Sequence, residues 1–527
     1  MIENNLTRGL IITIMNPMKT EIKIQTESLK DVEIVTISNK NNVCNSKRSK
    51  NNNSESSEEE LFVYSPEEKK LLKKMNFITA PFIFIIVFFQ YLDKITLNFS
   101  AVMNLFEDTN ISENEYGLSG AMYYIGFLIF LFPNQYFMHR FQLSKYLGVL
   151  LLLWGASLAC TALATSFAQL AVLRCLLGFF ESGAVPCIMM LIGLLYRRSE
   201  QPVLFSIIPS TMALGGAMGG LIGYGFLNMG GISGLSAWRW YMVVLGCTTS
   251  AIGFVVFIFL PDKADSRWYR LTSIEKEIIK ERIQDSSMVQ QKIINYQHIL
   301  EALKETRLYC FILVPLLLNM VNGAMGLYST LIIKTLGHFT DGQSILLSIP
   351  ASVVAIILIS FSAYLNKRFN ENCYIAILGC MVTILGLVLL IVIPEGAGIL
   401  VGVFLAIIGP QYSILLALTS INISGYTKKS FYVGATSVTY CVGNFIGPML
   451  MQEKFAPRYA LAMVIQIGAV VISGILIFYV RWTYKQDNKK RHQQLLNGEN
   501  KELSLAIQNS QEADLTDKNN PHFVYRL

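Results

Sequence analysis

Apolar residues in this chain are gathered into runs of about twenty, separated by short polar stretches, and at 1.5 Å per residue a helix of that length crosses a bilayer. The pattern predicts twelve such helices, at 77–102, 116–137, 146–165, 168–191, 203–227, 240–260, 308–331, 343–365, 373–393, 398–421, 431–451 and 459–481. They fall six and six about a polar connection from Pro261 to about Thr306. Within that connection, Ile274, Ile278, Ile279 and Ile283 recur among Glu and Lys from Ser273 to Gln284 at the spacing of an amphipathic helix. Ser273 suits its start, with Glu275 and Glu277 near the positive end. The fold class is therefore an all-α integral membrane protein of two six-helix bundles. Its expected parts are a disordered N-terminal tail (1–76), a first bundle (77–260), a connecting loop (261–307), a second bundle (308–481) and a C-terminal tail (482–527).

Composition agrees, since 53% apolar against 15% charged residues lies outside the balance of soluble globular chains. No apolar run at the extreme N-terminus resembles a cleavable signal, so the first span is expected to direct insertion. With the N-terminus in the cytosol, inner loops hold Arg140 and Lys145, Arg197 and Arg198, Lys367 and Arg368, and Lys428 and Lys429. The first outer loop, with Glu107, Asp108, Glu113 and Glu115, is acidic. Both termini are then cytosolic by the positive-inside rule. The formal charge of +7 reads as topology and contact with anionic lipid, and nucleic acid is not an expected partner. Nine cysteines show no paired spacing and lie mostly in apolar spans, where Cys acts as a small hydrophobe; no metal or cofactor is expected. Asn110-Ile-Ser112 forms a glycosylation acceptor on the outer side, close to the membrane. Ser54, Ser56 and Ser57, in the acidic run before the Lys69, Lys70, Lys73 and Lys74 group, are candidates for regulatory phosphorylation in a solvated leader.

Four charges sit inside spans, where a bilayer charges about 2.5–3.5 kcal/mol for each on insertion scales. Asp93 and Lys94 lie in the first span, and Arg174 and Glu181 in the fourth, seven residues or nearly two turns apart. Neighbours on a helix point about 100° apart, so Asp93 and Lys94 need separate partners. An ion pair that merely neutralises itself is the plain reading. The functional one gives Asp93 and Glu181 the proton, and Lys94 and Arg174 the anion. Asn98, Asn322, Gln411, Tyr412 and Asn444 could complete a solute site, although Asn and Gln in membrane helices often serve only as interhelical glue. Asn319, Thr419, Asn422 and Tyr440 are polar in the same spans. Glycines from Gly215 to Gly225 in the fifth span read as close helix packing. A Walker-type phosphate loop is absent, which argues against self-driven ATP hydrolysis.

The six-plus-six layout and the basic loop at His139-Arg140 and Lys145 resemble the major facilitator superfamily, with His139 where an acid is usual. Local motifs resemble the fungal allantoate permease family of anion:cation symporters. They are Tyr91-Leu92-Asp93-Lys94-Ile95-Thr96-Leu97-Asn98, the stretch from Arg174 through Glu181 to Pro186, and Trp238-Arg239-Trp240. Further along come Asn422 through Lys429, Gly443-Asn444-Phe445-Ile446-Gly447-Pro448, and the tail from Asp514 to Tyr525. The resemblance implies two halves rocking about a central site and proton-driven uptake of small carboxylate nutrients such as allantoate, ureidosuccinate, nicotinate or another vitamin or organic acid. It also implies coupling and carboxylate-binding roles for Asp93, Lys94, Arg174 and Glu181. Departures are Phe127 for a family Tyr, Leu195-Tyr196 for Trp-Tyr, and Leu204 for an Arg.

The expected function is therefore proton-coupled symport of a small organic anion by a monomer in the plasma membrane, with the endoplasmic reticulum or vacuolar membrane as the alternative address. A transporter-like nutrient receptor and a proton-independent facilitator are the rival readings. No nucleophile–base set or metal-ligand spacing suggests an enzyme.

Overall fold

A computed structural model describes residues 65–197, 200–287, 295–406, 409–496, 516–520 and 523–527. The predicted phosphorylation serines, Arg198 and the tail residues Asp514, Leu515, Pro521 and His522 lie outside the described residues. Twelve long helices follow the apolar runs: α1 Pro66–Ser100, α2 Glu113–Arg140, α3 Leu143–Thr161, α4 Phe167–Leu195, α5 Gln201–Leu227, α6 Ala237–Phe259, α7 Thr306–Gly337, α8 Asp341–Phe369, α9 Asn372–Val392, α10 Ile399–Asn422, α11 Tyr426–Met449 and α12 Ala460–Leu496. Among the described residues, eleven are long and apolar enough to cross a membrane. The exception is α11, whose Thr427, Lys428, Tyr432, Thr436, Thr439 and Asn444 are buried against protein rather than turned to lipid.

Two helix starts differ from the apolar pattern. α1 begins at Pro66, so Lys69, Lys70, Lys73 and Lys74 stand on a helix rather than in the expected disordered tail. The cause is local: Ser65 accepts from the Glu68 amide, Pro66 fills the first turn, and Glu67 and Glu68 face its positive end. The connecting helix Ser273–Ser287 forms where predicted, but its cap is Thr272, which exchanges hydrogen bonds with Glu275 in a capping box. Burial opposes ionisation of Glu275, but the Thr272 amide and the Lys74 ammonium, 3.1 Å away, outweigh it and hold the carboxyl below its ordinary value. A second connecting helix, Tyr296–Leu303, packs on α11.

Most helix packing is within each half: α3 on α6, α2 on α4 and α1 on α5 in the first, α7 on α11 and α9 on α12 in the second. α2 and α4 cross at glycines, where a Cβ on Gly178 would stand 1.9 Å from the Tyr123 carbonyl oxygen. The halves meet through α1 and α2 against α7 and α11, and through α5 against α8. The α5 glycines serve both contacts, Gly215 and Gly219 receiving Tyr91 and Ile95 of α1, Gly216 and Gly220 receiving Ser352 and Ser348 of α8.

At the end opposite Pro66 the halves are latched together. Tyr328 of α7 donates to the Glu113 carbonyl (2.9 Å), Tyr459 to the Glu113 carboxylate (2.5 Å), and the Glu453 amide to Asn114 (3.0 Å). Tyr116 donates to Leu327 O of α7 (2.9 Å) and stacks edge-on against Tyr328. Nearby, Asp108 joins the Trp238-Arg239 motif, accepting from the Trp238 indole at 2.7 Å. Asn110 of the predicted glycosylation acceptor is exposed just beyond the short helix Leu105–Thr109.

At the Pro66 end, residues 516–520 and 523–527 are bound to the second half. Asn422 and Arg526 exchange two 2.8 Å hydrogen bonds, Tyr525 stacks on Tyr484, and Leu527 O accepts from the first amide of α9. Lys428, expected as a free loop charge, is completely buried there. It pairs with Glu305 (2.6 Å), Asp517 (2.8 Å) and Glu301 (2.9 Å).

Candidate functional site

The four intramembrane charges converge where the halves meet, yet no ion pair joins any two of them among the described residues. Asp93 is completely buried and turns into the first half, where Oδ2 accepts from Thr249 of α6 at 2.9 Å. Oδ1 makes no hydrogen bond, although the Trp154 indole faces this carboxylate. Lys94, the next residue and about 100° round the helix, points across the interface and donates to the Tyr440 hydroxyl of α11 at 3.2 Å. The Tyr124 and Tyr440 rings stand 6.0 and 5.9 Å from its ammonium, at the outer limit of cation–π attraction.

On α4, Arg174 and Glu181 occupy the same segment, Phe167–Glu181, which breaks at Ser182-Gly183 just after the acid. Both are almost fully buried. Arg174 Nη2 reaches Thr96 Oγ1 of α1 at 3.4 Å and Met242 Sδ of α6 at 3.6 Å, leaving Nε without a partner. Thr96 itself donates to the Asp93 carbonyl at 2.7 Å, which ties the arginine to the turn bearing the acid. Glu181 Oε2 has no hydrogen bond, with Tyr123 and Gln90 facing the carboxylate. Buried polar atoms are nearly always paired, so the open oxygen on each acid and the open guanidinium nitrogen leave hydrogen-bonding capacity unused at these charges.

Between the halves lies a cavity of about 130 Å³. Lys94 and Arg174 line it together with Tyr91, Tyr123, Tyr124, Asn322, Gly326 and Pro448, whereas Asp93 and Glu181 are not among its lining residues. Its described lining thus offers two cations and no carboxylate.

The other sequence candidates divide. Asn322 lines the cavity and donates to Asn444 (2.9 Å), which in turn donates to Asn319 (3.1 Å) and the Tyr440 carbonyl (2.8 Å). Tyr412 lies beside Tyr440 with its ring tilted, the ring centres 6.0 Å apart. Asn98 bridges α1 to Ser329 and Thr330 of α7, and Gln411 bonds Thr383 of α9, so both act as interhelical ties outside the lining. Sequence reasoning missed Thr249, Tyr123 and Tyr124, and named Tyr91 and Thr96 only as part of the first-span motif. Hydroxyls in apolar spans are too common for any one to stand out, and only the convergence of α1, α2, α4 and α6 selects these.

A cation-lined chamber between two helical bundles, latched at one end, fits a multi-pass membrane transporter. The chain belongs to the Major Facilitator Superfamily, whose sequence pattern matches residues 83–448. It is 29% identical to a thiamine pathway transporter of Saccharomyces cerevisiae over 86% of both chains. It is 27% identical to the allantoate permease of the same yeast, over 88% of this chain and 87% of that one. Among solved structures, a bacterial homolog of the human lysosomal transporter Spinster, inward-facing and occupied, superposes with a TM-score of 0.60. It is 14% identical, covering 77% of this chain and 97% of that one. A D-xylose-proton symporter gives 0.58 at 16% identity, over 77% and 97%.

Proposed function

We propose that the protein is a proton-coupled symporter of a small organic anion. The observation that carries this reading is the separation of charges at the cavity: Lys94 and Arg174 line it, while Asp93 and Glu181 are outside its lining, each with an open oxygen. An anion entering such a chamber meets two cations that form no ion pair with either acid among the described residues. Protonation of Asp93 and Glu181 strengthens that attraction, because it removes the negative charges closest to the cations. Release of the protons on the other side returns those charges and expels the anion. Proton and solute then travel in the same direction.

The halves 77–260 and 308–481 rock about the cavity, with 261–307 as their connection. Both termini lie in the cytosol and the protein works as a monomer in the plasma membrane, so the latched end at Glu113 and Tyr459 faces outward. The allantoate permease among the relatives supports a carboxylate nutrient as solute. Lys94 and Arg174 each supply charge-assisted hydrogen bonds worth about 1.5–3 kcal/mol, so Lys94→Met or Arg174→Met weakens apparent affinity about tenfold to a hundredfold.

The deciding experiment is labelled uptake in a host lacking its own permeases, screened across allantoate, ureidosuccinate, nicotinate and related acids. An inward proton gradient drives accumulation, and a protonophore abolishes it. Asp93→Asn and Glu181→Gln variants that reach the membrane exchange solute but do not concentrate it. Concentrative, gradient-driven uptake by both variants would sink the coupling assignment, and equilibration by the unmodified protein at every pH would make it a facilitator.

A further inference from the structure

The α7 wall of the cavity carries two glycines three residues apart, Gly323 and Gly326, whose surroundings differ. A Cβ on Gly323 would stand 2.5 Å from the carbonyl oxygen and 2.8 Å from Cα of Asn444, so glycine there is what lets α7 touch α11. On Gly120 of α2, the third glycine in the lining, a Cβ would meet Leu327 Cδ2 at 2.5 Å, a contact across the halves. A Cβ on Gly326 would meet nothing within 4 Å. Gly326 is also exposed, although Val321, Ala324, Leu327 and Tyr328 around it are buried. The space beside it is the cavity.

Neither packing nor backbone geometry asks for a bare Cα at this point, and glycine inside a helix costs about 1 kcal/mol relative to alanine. What the absent side chain leaves is room, in a chamber of only about 130 Å³. We infer that Gly326 sets the size of the solute: its missing side chain accommodates the part of the anion remote from the carboxylate, one helical turn from the Asn322 amide. This inference rests on the carboxylate-transport reading above. A methyl group at 326 shortens the list of acids accepted, and an isobutyl group shortens it further, without touching the groups that hold charge.

Gly326→Ala and Gly326→Leu are compared with the unmodified protein for uptake of monocarboxylates graded in bulk from acetate to pantothenate, alongside surface expression and thermal stability. The smallest acids accepted keep their kcat/KM. The largest loses tenfold or more, Leu more than Ala, with stability no lower than that of the unmodified protein. Equal loss for every acid, or no loss for any, overturns the inference. Gly326→Cys supplies a readout independent of transport, since a small water-soluble methanethiosulfonate modifies it above the background of the parent chain and a bulky one modifies it slowly. An unreactive or size-indifferent Cys overturns the inference as well. If the unmodified protein takes up none of the acids while the thiol reacts with the expected grading, the carboxylate reading fails and the size assignment at Gly326 stands.

Discussion

Asn444 holds together the part of the site that belongs to the second half. Its amide nitrogen donates to Asn319 and to the Tyr440 carbonyl, while its oxygen receives Asn322, and through the Tyr440 backbone it steadies the hydroxyl that meets Lys94. Asn444→Ala strands Asn319 Oδ1, which is buried, and takes its partner from Asn322 Nδ2 at the cavity wall. The expected cost is about 1–3 kcal/mol, because a buried polar group deprived of its partner bears its full desolvation penalty. Heating the detergent-solubilised protein and following the monodisperse fraction measures the shift, and a change too small to resolve would show that the neighbouring amides re-pair. The chemistry of these positions was visible as polar letters in apolar runs. Their division of labour was not: Asn322 and Gln411 look alike in sequence, yet one lines the cavity and the other ties α10 to α9.

Three sequence-distant elements meet at Lys428: the start of α11, the connecting helix Tyr296–Leu303 with the residues just after it, and the segment 516–527. One ammonium, completely buried, faces Glu301, Glu305 and Asp517. Removing a partner from a buried charge cluster leaves uncompensated charge, so Lys428→Met destabilises by about 3–5 kcal/mol. The same assay reads it, and protease sensitivity near 516–527 rises as the segment comes loose; a segment still protected in the variant would mean that its backbone bonds to Asn422, Asn372 and Asn488 suffice. Two motifs that resemble those of allantoate permeases, Asn422 to Lys429 and the chain's tail, dock on each other here. Helix existence was legible because a run of about twenty apolar residues has one stable form in a bilayer. Helix ends were less so. Ser65, Pro66 and Glu68 carry a strong start signal that apolar periodicity does not register.

Across the whole molecule, the latch at Glu113, Tyr328 and Tyr459 closes one end of the interface while the cavity lies deeper between the halves. Under the proposed rocking of the two halves, that latch opens in every cycle. Cysteines at Asn114 and Glu453, joined by a bifunctional thiol reagent, hold it shut and stop uptake, and reductive cleavage of the bridge restores it. Undiminished uptake by the cross-linked protein would mean that this end does not open during transport. The chain's own sequence determined that it spans a membrane, with its helices in two sets of six and charges in the first and fourth. Those features depend on local composition and on the cost of exposing backbone or charge to lipid, which act residue by residue. Only the tertiary structure decided that Lys94 and Arg174 line the cavity while Asp93 and Glu181 do not, that Lys428 is a buried tie, and that Gly326 faces open space while Gly323 is packed. Each of these depends on which helix lies opposite, and that is settled by close packing across many residues far apart in the chain, a property no single segment carries.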